Sequence, residues 1–422
     1  MRHETLDRLE LARYIRPGDG VILQQGCGEA ISLAEKFVQQ RAAYSGATLF
    51  MGSGFSRTFQ PEHADHLRFT GIGGIGTLRK LASAGALDPI PCHISSIEGL
   101  LRSGVIAANV VLLQVSPPNE RGEYSFGLVN DYVRTAMSKA RVVIAEVNRQ
   151  VPWVHCDRLL TADDISVAVE TDRPPLELPA APFGALEQRI AHSLGELIGD
   201  RATLQMGIGS VPEAIMSMLA DRRELGIHSG MIGDSAVTLM ESGAVTNAHK
   251  GMDAGVTVSG VLFGTRRLYD YAARNPQIRL HPTSYTHHIG VLGRLKNFVS
   301  INSALEVDLT GQINAEAIGG DHIGAVGGQV DYIRAAALSE GGVSIVALPA
   351  SGKGGESRIV SRLSGPVTTA RSDVDVVATE HGVAQLRGRS LRQRVRALVQ
   401  IAAPEHRERL LAEARQVLGE NV

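Results

Sequence analysis

Two short glycine turns have the residue types that could hold an oxyanion or a phosphate. Residues 23–28 (LQQGCG) return near the middle of the chain as residues 204–209 (LQMGIG). In each copy an apolar, strand-like run leads in and an amphipathic, helix-like run follows, so the glycines lie where backbone amides can approach a ligand closely. A purely structural strand-to-helix turn is the alternative for each copy.

A second glycine-rich loop carries two cations. Residues 351–360 (SGKGGESRIV) follow a strand-like apolar run and contain Lys353 and Arg358. Cations flanked by glycines suit phosphate binding, although a solvated basic loop is the simpler alternative. The loop matches neither a Walker motif nor a dinucleotide fingerprint.

Other common catalytic patterns are missing from the sequence. No GxSxG elbow occurs, which argues against a serine hydrolase. The three cysteines have no CxxC spacing, which favours reduced thiols and a cytoplasmic location. Four histidines have no companion carboxylates at metal spacing, so we expect structural or surface roles for them and no metal: His228, His249, His287 and His288.

The elements that must position these residues are those of an α/β protein. Strand-like runs at 110–113, 142–145 and 343–348 are uniformly apolar, which predicts parallel sheets covered by helices on both faces. The repeat and the length of 422 residues predict two similar domains, 1–180 and 184–422, joined by the proline-rich residues 171–183. A cleft between the domains would then be the binding site.

Composition excludes several classes of function. The net charge of −2 gives no reason to expect a nucleic-acid partner. No apolar run approaches the roughly 18 residues that a membrane span needs. The charged N-terminal residues lack an apolar core, so we expect no signal peptide.

Several stretches together resemble one family. They are GIGSVPEAI, ELGIHSGM, INSALEVDLTGQIN, GAVGGQVDYIRAA and VSPPNERGEYSFG, and they resemble the acetyl-CoA hydrolase/4-hydroxybutyrate CoA-transferase family over almost the whole chain. The resemblance implies two CoA-transferase-type α/β domains with the active-site cleft between them. It also implies a coenzyme A thioester as substrate, no prosthetic group, and a homo-oligomer that is a dimer or a tetramer.

The implied reaction moves CoA between acids through a glutamate of the enzyme. A carboxylate, with an ordinary pKa of about 4.3, is already ionised at neutral pH and needs no general base. It attacks the thioester carbonyl to give a mixed anhydride, and the CoA thiolate then forms an enzyme thioester. Water must be excluded, or the transferase becomes a hydrolase.

The sequence departs from the family pattern at this glutamate. Many members have His-Thr-Glu-Met where this chain has His228-Ser229-Gly230-Met231. We expect Glu62 to replace the missing nucleophile, since it follows the strand-like run 47–52, which occupies the matching place in the first repeat. This exchange resembles the bacterial itaconate CoA-transferases and implies itaconate as the acid.

Other carboxylates and cations stay open at this stage. Glu29, Glu98 and Glu146 are the rival nucleophiles, with a capping role favoured for Glu29 and an orienting role possible for Glu146. The distal carboxylate of itaconate would need a cation, for which Arg57, Arg68 and Lys353 are equal candidates.

The remaining expected site residues form two groups. The substrate and oxyanion cleft is expected to contain Gln25, Gly26, Gly207, Gly209, Gly230 and Met231. The resemblance implies that CoA is bound by Gly327, Gly328 and Gln329 near the thioester and by Lys353 and Arg358 at the phosphates. Three alternatives to an itaconate CoA-transferase remain: a 4-hydroxybutyrate or butyrate CoA-transferase, an acyl-CoA hydrolase, and a non-catalytic CoA-binding module.

Overall fold

The computed structural model describes residues 1–419, and its N-terminal half is built on one parallel sheet. Its eight strands are β1 (Arg2–Glu4), β2 (Gly20–Leu23), β3 (Thr48–Met51), β4 (Arg68–Gly71), β5 (Leu87–Pro89), β6 (Val110–Val115), β7 (Val142–Asn148) and β8 (Val167–Thr171). The order across the sheet is β1-β8-β7-β6-β2-β3-β4-β5, and every neighbouring pair is parallel. All six residues of β6 are buried, as expected for a strand covered on both faces.

Helices connect the strands of this half. They are α1 (Ile31–Gln39), α2 (Leu78–Ser83), α3 (Ile94–Ser103) and α4 (Val133–Lys139). Two short 3₁₀ helices carry residues that the sequence predicts to be functional. Gly26–Gly28 follows β2, and Pro61–Asp65, which contains Glu62, lies between β3 and β4.

The C-terminal half, residues 185–419, contains a main sheet and smaller sheets of two or three strands. Its strands are β9 (Thr203–Met206), β10 (Gly226–Ile227), β11 (Met231–Ile232), β12 (Thr257–Ser259), β13 (Val261–Leu262), β14 (Ile278–Leu280), β15 (Phe298–Ser303), β16 (Glu306–Asp308), β17 (Ile313–Asn314), β18 (Ala317–Ile318), β19 (Asp321–His322), β20 (Val343–Ala347), β21 (Ile359–Val360), β22 (Val376–Thr379) and β23 (Gly382–Gln385). Its helices are α5 (Ala185–Ser193), α6 (Ser210–Met218), α7 (Asp234–Glu241), α8 (Arg266–Ala272), α9 (Thr283–Thr286), α10 (Ile289–Leu292), α11 (Gln329–Leu338), α12 (Leu391–Ile401) and α13 (Pro404–Leu418).

The main sheet of this half has six strands in the order β10-β9-β15-β20-β22-β23. All pairs are parallel except β22 with β23. Two parallel α/β sheets are the architecture that the sequence predicts. Residues 172–184, which carry the prolines, form neither helix nor strand between the two sheets. The domain limits themselves, 1–180 and 184–422, stay a prediction.

The sequence repeat is also a structural repeat. In the first copy β2 leads through Gly26–Gly28 into α1, and in the second β9 leads through residues 207–209 into α6. Gly26 has φ +57° and Gly209 has φ +132°, conformations that residues with a Cβ adopt only with strain.

An apolar cluster joins the two halves. Cys27 and Val129 of the N-terminal half share it with Leu262 and Phe263 of the C-terminal half. The ring of Phe263 lies edge-on to Phe55, with 5.0 Å between the centroids. Among residues 1–419, no helix combines the length and the apolar character that crossing a bilayer requires.

Candidate active site

A cleft of about 210 Å³ lies where the carboxyl ends of the two sheets meet. The N-terminal half contributes residues that follow its parallel strands: Gln25, Ser53, Ile72, Ile75, Ile94 and Asp131. The C-terminal half contributes Gln205, Met206, Gly207, Ile208, Gly230, Met231, Gly260, Val261, Phe263, Thr283, Thr286, His287, Asn302, Gly327, Gly328, Gln329 and Tyr332. Ligands of open α/β sheets bind at this end of the strands. The volume lies below the roughly 300–1,000 Å³ of ordinary small-molecule sites and suits a small acyl group.

The structure brings most of the expected cleft residues together. Gln25, Gly207, Gly230 and Met231 line the cleft, but Gly26 and Gly209 do not. A Cβ on Gly26 would come within 2.5 Å of the Phe263 ring, so this glycine lets the two halves pack. Gly209 precedes α6, where its positive φ starts the helix.

The residues expected at CoA separate into two places. Gly327, Gly328 and Gln329 line the cleft. Lys353 is exposed and Arg358 is half-buried in the segment between β20 and β21, and neither lines the cleft. Phosphate binding by these two cations stays a prediction.

Glu62 does not lie with the cleft residues. It is exposed on the 3₁₀ helix Pro61–Asp65, which begins at a proline and is capped by a bond from the Gln60 N–H to His63 Nδ1. On this surface Arg41 donates to Asp65 at 2.7 Å. Glu62 is therefore not among the residues that line the cleft, and its role as the nucleophile stays a prediction.

The three rival glutamates are buried and hold backbone or side chains in place. Glu29 accepts hydrogen bonds from the N–H groups of Phe55 and Ser56, and burial raises its pKa. Glu146 accepts from the Ser32 N–H and hydroxyl at the start of α1, and burial raises its pKa as well. Neither lines the cleft.

Glu98 ties the two halves together behind the cleft. On α3, it accepts from the Thr283 hydroxyl and the Ser284 N–H at 2.7 Å each, and from the Thr135 hydroxyl at 2.7 Å. Burial acts to raise the pKa of Glu98, but these hydrogen bonds outweigh it and the pKa is lowered. Glu98 is thus an ionised structural group that does not line the cleft.

Asp131 is the one carboxylate among the cleft-lining residues within residues 1–419. Its side chain accepts from Gln25 Nε2 at 2.6 Å and from the Val133 N–H at 3.0 Å. Burial raises its pKa to about 6, against the effect of these two hydrogen bonds, so it is mostly ionised at neutral pH. Sequence reasoning missed Asp131, which is separated from its strand, β6, by a long loop.

Gly230 lies against two buried rings. A Cβ there would come within 2.5 Å of His287 Cε1 and 2.6 Å of Tyr332 Oη. Burial lowers the pKa of His287 to about 3, so the ring is neutral at physiological pH. The sequence placed His287 among structural or surface histidines, but it lines the cleft.

Two amide side chains complete the polar lining. Gln205 Oε1 accepts from the Ser300 hydroxyl at 2.8 Å and from Asn302 Nδ2 at 3.1 Å. Gln205 belongs to the repeated motif, which is the signal that could have identified it. Asn302, at the end of β15, had no such signal.

No lysine or arginine lines the cleft in the part of the chain that the structure describes. Arg57 and Arg68 are exposed elsewhere on the N-terminal half, and Lys353 is exposed on the C-terminal half. No group of three or more His, Cys, Asp or Glu among residues 1–419 is arranged to hold a metal ion.

Comparison with known proteins identifies the family. The acetyl-CoA hydrolase/transferase N-terminal domain matches residues 4–176, and the C-terminal domain of the same name matches residues 264–414. The chain is also 39% identical to a 4-hydroxybutyrate coenzyme A transferase of Clostridium kluyveri, over 93% of each protein. This chain belongs to the acetyl-CoA hydrolase/transferase family.

A further relative and two solved structures are also similar to this chain. A succinyl-CoA:cyclohexane-1-carboxylate CoA transferase of Geobacter metallireducens is 32% identical over 99% of this chain and 96% of that protein. The crystal structure of RipA from Yersinia pestis superposes with a TM-score of 0.93 at 28% identity, covering 99% of this chain and 98% of that one. A 4-hydroxybutyrate CoA-transferase structure from Porphyromonas gingivalis gives 0.84 at 34%, covering 98% and 97%. The chain is therefore a CoA-transferase whose substrates are an acyl-CoA and a carboxylic acid.

Proposed function

We propose that the protein transfers CoA from an acyl-CoA to a short monocarboxylic acid such as 4-hydroxybutyrate or butyrate. The observation that carries this choice is the absence of lysine and arginine from the cleft lining within residues 1–419. A dicarboxylate would bring a second negative charge beside Asp131 into a buried site with no cation to pair it, which is unfavourable. The relatives include a 4-hydroxybutyrate coenzyme A transferase and a butyryl-CoA:acetate CoA-transferase, which supports the choice.

Itaconate is the second candidate acid. Gly230, in place of the usual family glutamate, is the observation that favours it, because the itaconate CoA-transferase subgroup shares that exchange. Its distal carboxylate would have to rely on neutral donors such as the amides of Gln205 and Asn302. These are weaker partners for a charge than a guanidinium or an ammonium group.

The cleft lining suits transfer better than hydrolysis. Ile72, Ile75, Ile94 and Phe263 surround the polar groups with apolar side chains. A dry site protects an anhydride or an enzyme thioester from water and strengthens hydrogen bonds to the developing oxyanion. Ile208 of the second glycine turn lines the cleft, and its backbone amide is the proposed oxyanion donor, because the N–H groups of Gly26 and Gly207 already donate to the Ser53 and Ile301 carbonyls. The predicted dimer or tetramer and the cytoplasmic location remain proposals.

A panel of acceptor acids tests this function. The purified protein is incubated with acetyl-CoA as donor and with butyrate, 4-hydroxybutyrate or itaconate, and new acyl-CoA is measured by chromatography. We expect product with the two monocarboxylates at a kcat/KM at least about tenfold above that with itaconate, a difference of ~1.4 kcal/mol. Preference for itaconate would overturn the substrate choice.

Two controls separate the remaining alternatives. Release of free CoA at the same rate with and without an acid would indicate a hydrolase. Binding of CoA without turnover of any donor would indicate a non-catalytic CoA-binding module.

A further inference from the structure

We propose that the side chain of Asp131 is the nucleophile that forms the covalent acyl intermediate in this chain. The inference rests on the proposed transferase function. It assigns the essential carboxylate to the N-terminal half, on a residue other than Glu62.

The usual position of the nucleophile is closed in this protein. Position 230 is a glycine, and a Cβ there would overlap His287 and Tyr332 at 2.5–2.6 Å. Both rings are buried, with exposed fractions of 5% and 3%. The two rings thus occupy the space into which a side chain at position 230 would begin to project.

Asp131 is placed to supply the missing carboxylate. It lines the same cleft as Gly230, although only 2% of its surface is exposed. Gln25, from the first glycine turn, fixes one carboxylate oxygen, and the Val133 N–H fixes the other. Gln25 is itself held, because its Oε1 accepts from the Ser53 hydroxyl at 3.1 Å. A carboxylate fixed in this way loses little conformational freedom when it attacks.

The chemistry balances without a co-reactant. An oxygen of the ionised Asp131 attacks the thioester carbonyl carbon, the carbon–sulfur bond breaks, and CoA leaves as the thiolate. The thiolate then attacks the Asp131 carbonyl of the mixed anhydride, which forms the aspartyl-CoA thioester and releases the donor acid. The acceptor acid reverses both steps, so that its own acyl-CoA is released and the free carboxylate is restored.

The other carboxylates lack this combination of access and position. Glu62 is exposed outside the cleft. Glu98 does not line the cleft, and its oxygens accept from Thr283, Ser284, Thr135 and Arg102. Glu29 and Glu146 are bonded to backbone N–H groups and do not line the cavity.

Mapping of the trapped intermediate tests the assignment on the unmodified protein. The full chain is incubated with acyl-CoA alone, reduced with borohydride, and digested for peptide mass spectrometry. Reduction of an aspartyl thioester leaves homoserine at position 131, whereas a glutamyl thioester leaves hydroxynorvaline. Homoserine at 131 is the expected result. A modified Glu62, Glu29, Glu98 or Glu146 would overturn the inference while leaving the transferase function intact.

Variants give a second and independent readout. Asp131→Asn keeps the shape of the side chain and should lower acyl-CoA formation at least about a thousandfold and abolish the adduct. Asp163→Asn, at an exposed aspartate outside the cleft, is the matched control and should retain activity. Asp131→Asn activity within tenfold of wild type, in protein with an unchanged melting temperature, would also overturn the inference. A wild type that makes no acyl-CoA with any acid would instead contradict the proposed function.

Discussion

At the scale of single residues, the packing of the cleft wall depends on the absence of a side chain at Gly230. The sequence shows that the family glutamate is missing, but only the structure shows that His287 and Tyr332 pack where a side chain would project. This contact joins residues that are far apart in the chain, so no local pattern could predict it. The same reason explains why the sequence points to Glu62 and does not single out Asp131, because position in the chain does not reveal which carboxylate lies in the cleft.

Gly230→Ala tests this packing. The added methyl group would overlap two buried rings, and overpacking of this kind costs roughly 1–3 kcal/mol. We expect a lower free energy of unfolding in urea titration.

Gly99→Ala is the matched control. Gly99 lies within α3 and has no atom within 4 Å of an added Cβ. Alanine is favoured over glycine in a helix by roughly 1 kcal/mol, so this variant should be equal to or more stable than wild type. A Gly230→Ala protein as stable as Gly99→Ala would show that position 230 has room for a side chain.

At the scale of elements, the sequence predicts strands and glycine turns but not the contacts between the two halves. The apolar runs at 110–113 and 142–145 lie in β6 and β7 of a parallel sheet, and both glycine turns join a strand to a helix. Such features depend on local periodicity and on backbone freedom, which a sequence carries directly. The bonds from α3 to α9 through Glu98 could not be predicted, because they depend on how the two halves dock.

Glu98→Gln tests the contribution of this connection. It replaces a buried carboxylate that accepts three short hydrogen bonds with an amide that has one acceptor oxygen, and the expected loss is roughly 1.5–3 kcal/mol at pH 7. Because the native pKa of Glu98 is lowered, its stabilisation is present above the unfolded pKa of about 4.3 and is lost as the pH falls through the native pKa. The difference between wild type and variant should therefore shrink below about pH 4.

Glu170→Gln is the control for this measurement. The Glu170–Arg149 ion pair is exposed, with 62% and 66% of the two side chains accessible. Exposed pairs of this kind contribute little, so a change within about 0.5 kcal/mol is expected. Equal effects of the two substitutions would contradict the role given to Glu98.

At the scale of the whole molecule, two sheets present their carboxyl ends to one shared cleft. Each half supplies part of the lining: Asp131 and Gln25 come from one, and Gly207, Asn302 and the Gly327–Gln329 segment from the other. The segment before α11 also contacts the N-terminal half, because the Ile94 N–H donates to the Gly327 carbonyl at 3.0 Å. The duplication predicts this arrangement of two facing domains, whereas the place of Asp131 in the cleft could be seen only from how the two halves dock.

Intact-mass spectrometry of the protein with acyl-CoA, in the absence of any acceptor acid, tests the central claim most directly. If CoA is carried on an enzyme carboxylate between two half-reactions, the protein mass rises by that of CoA less one water. Addition of butyrate should then return the mass to its starting value as butyryl-CoA forms. Accumulation of free CoA without a mass change and without any need for an acid would contradict the account.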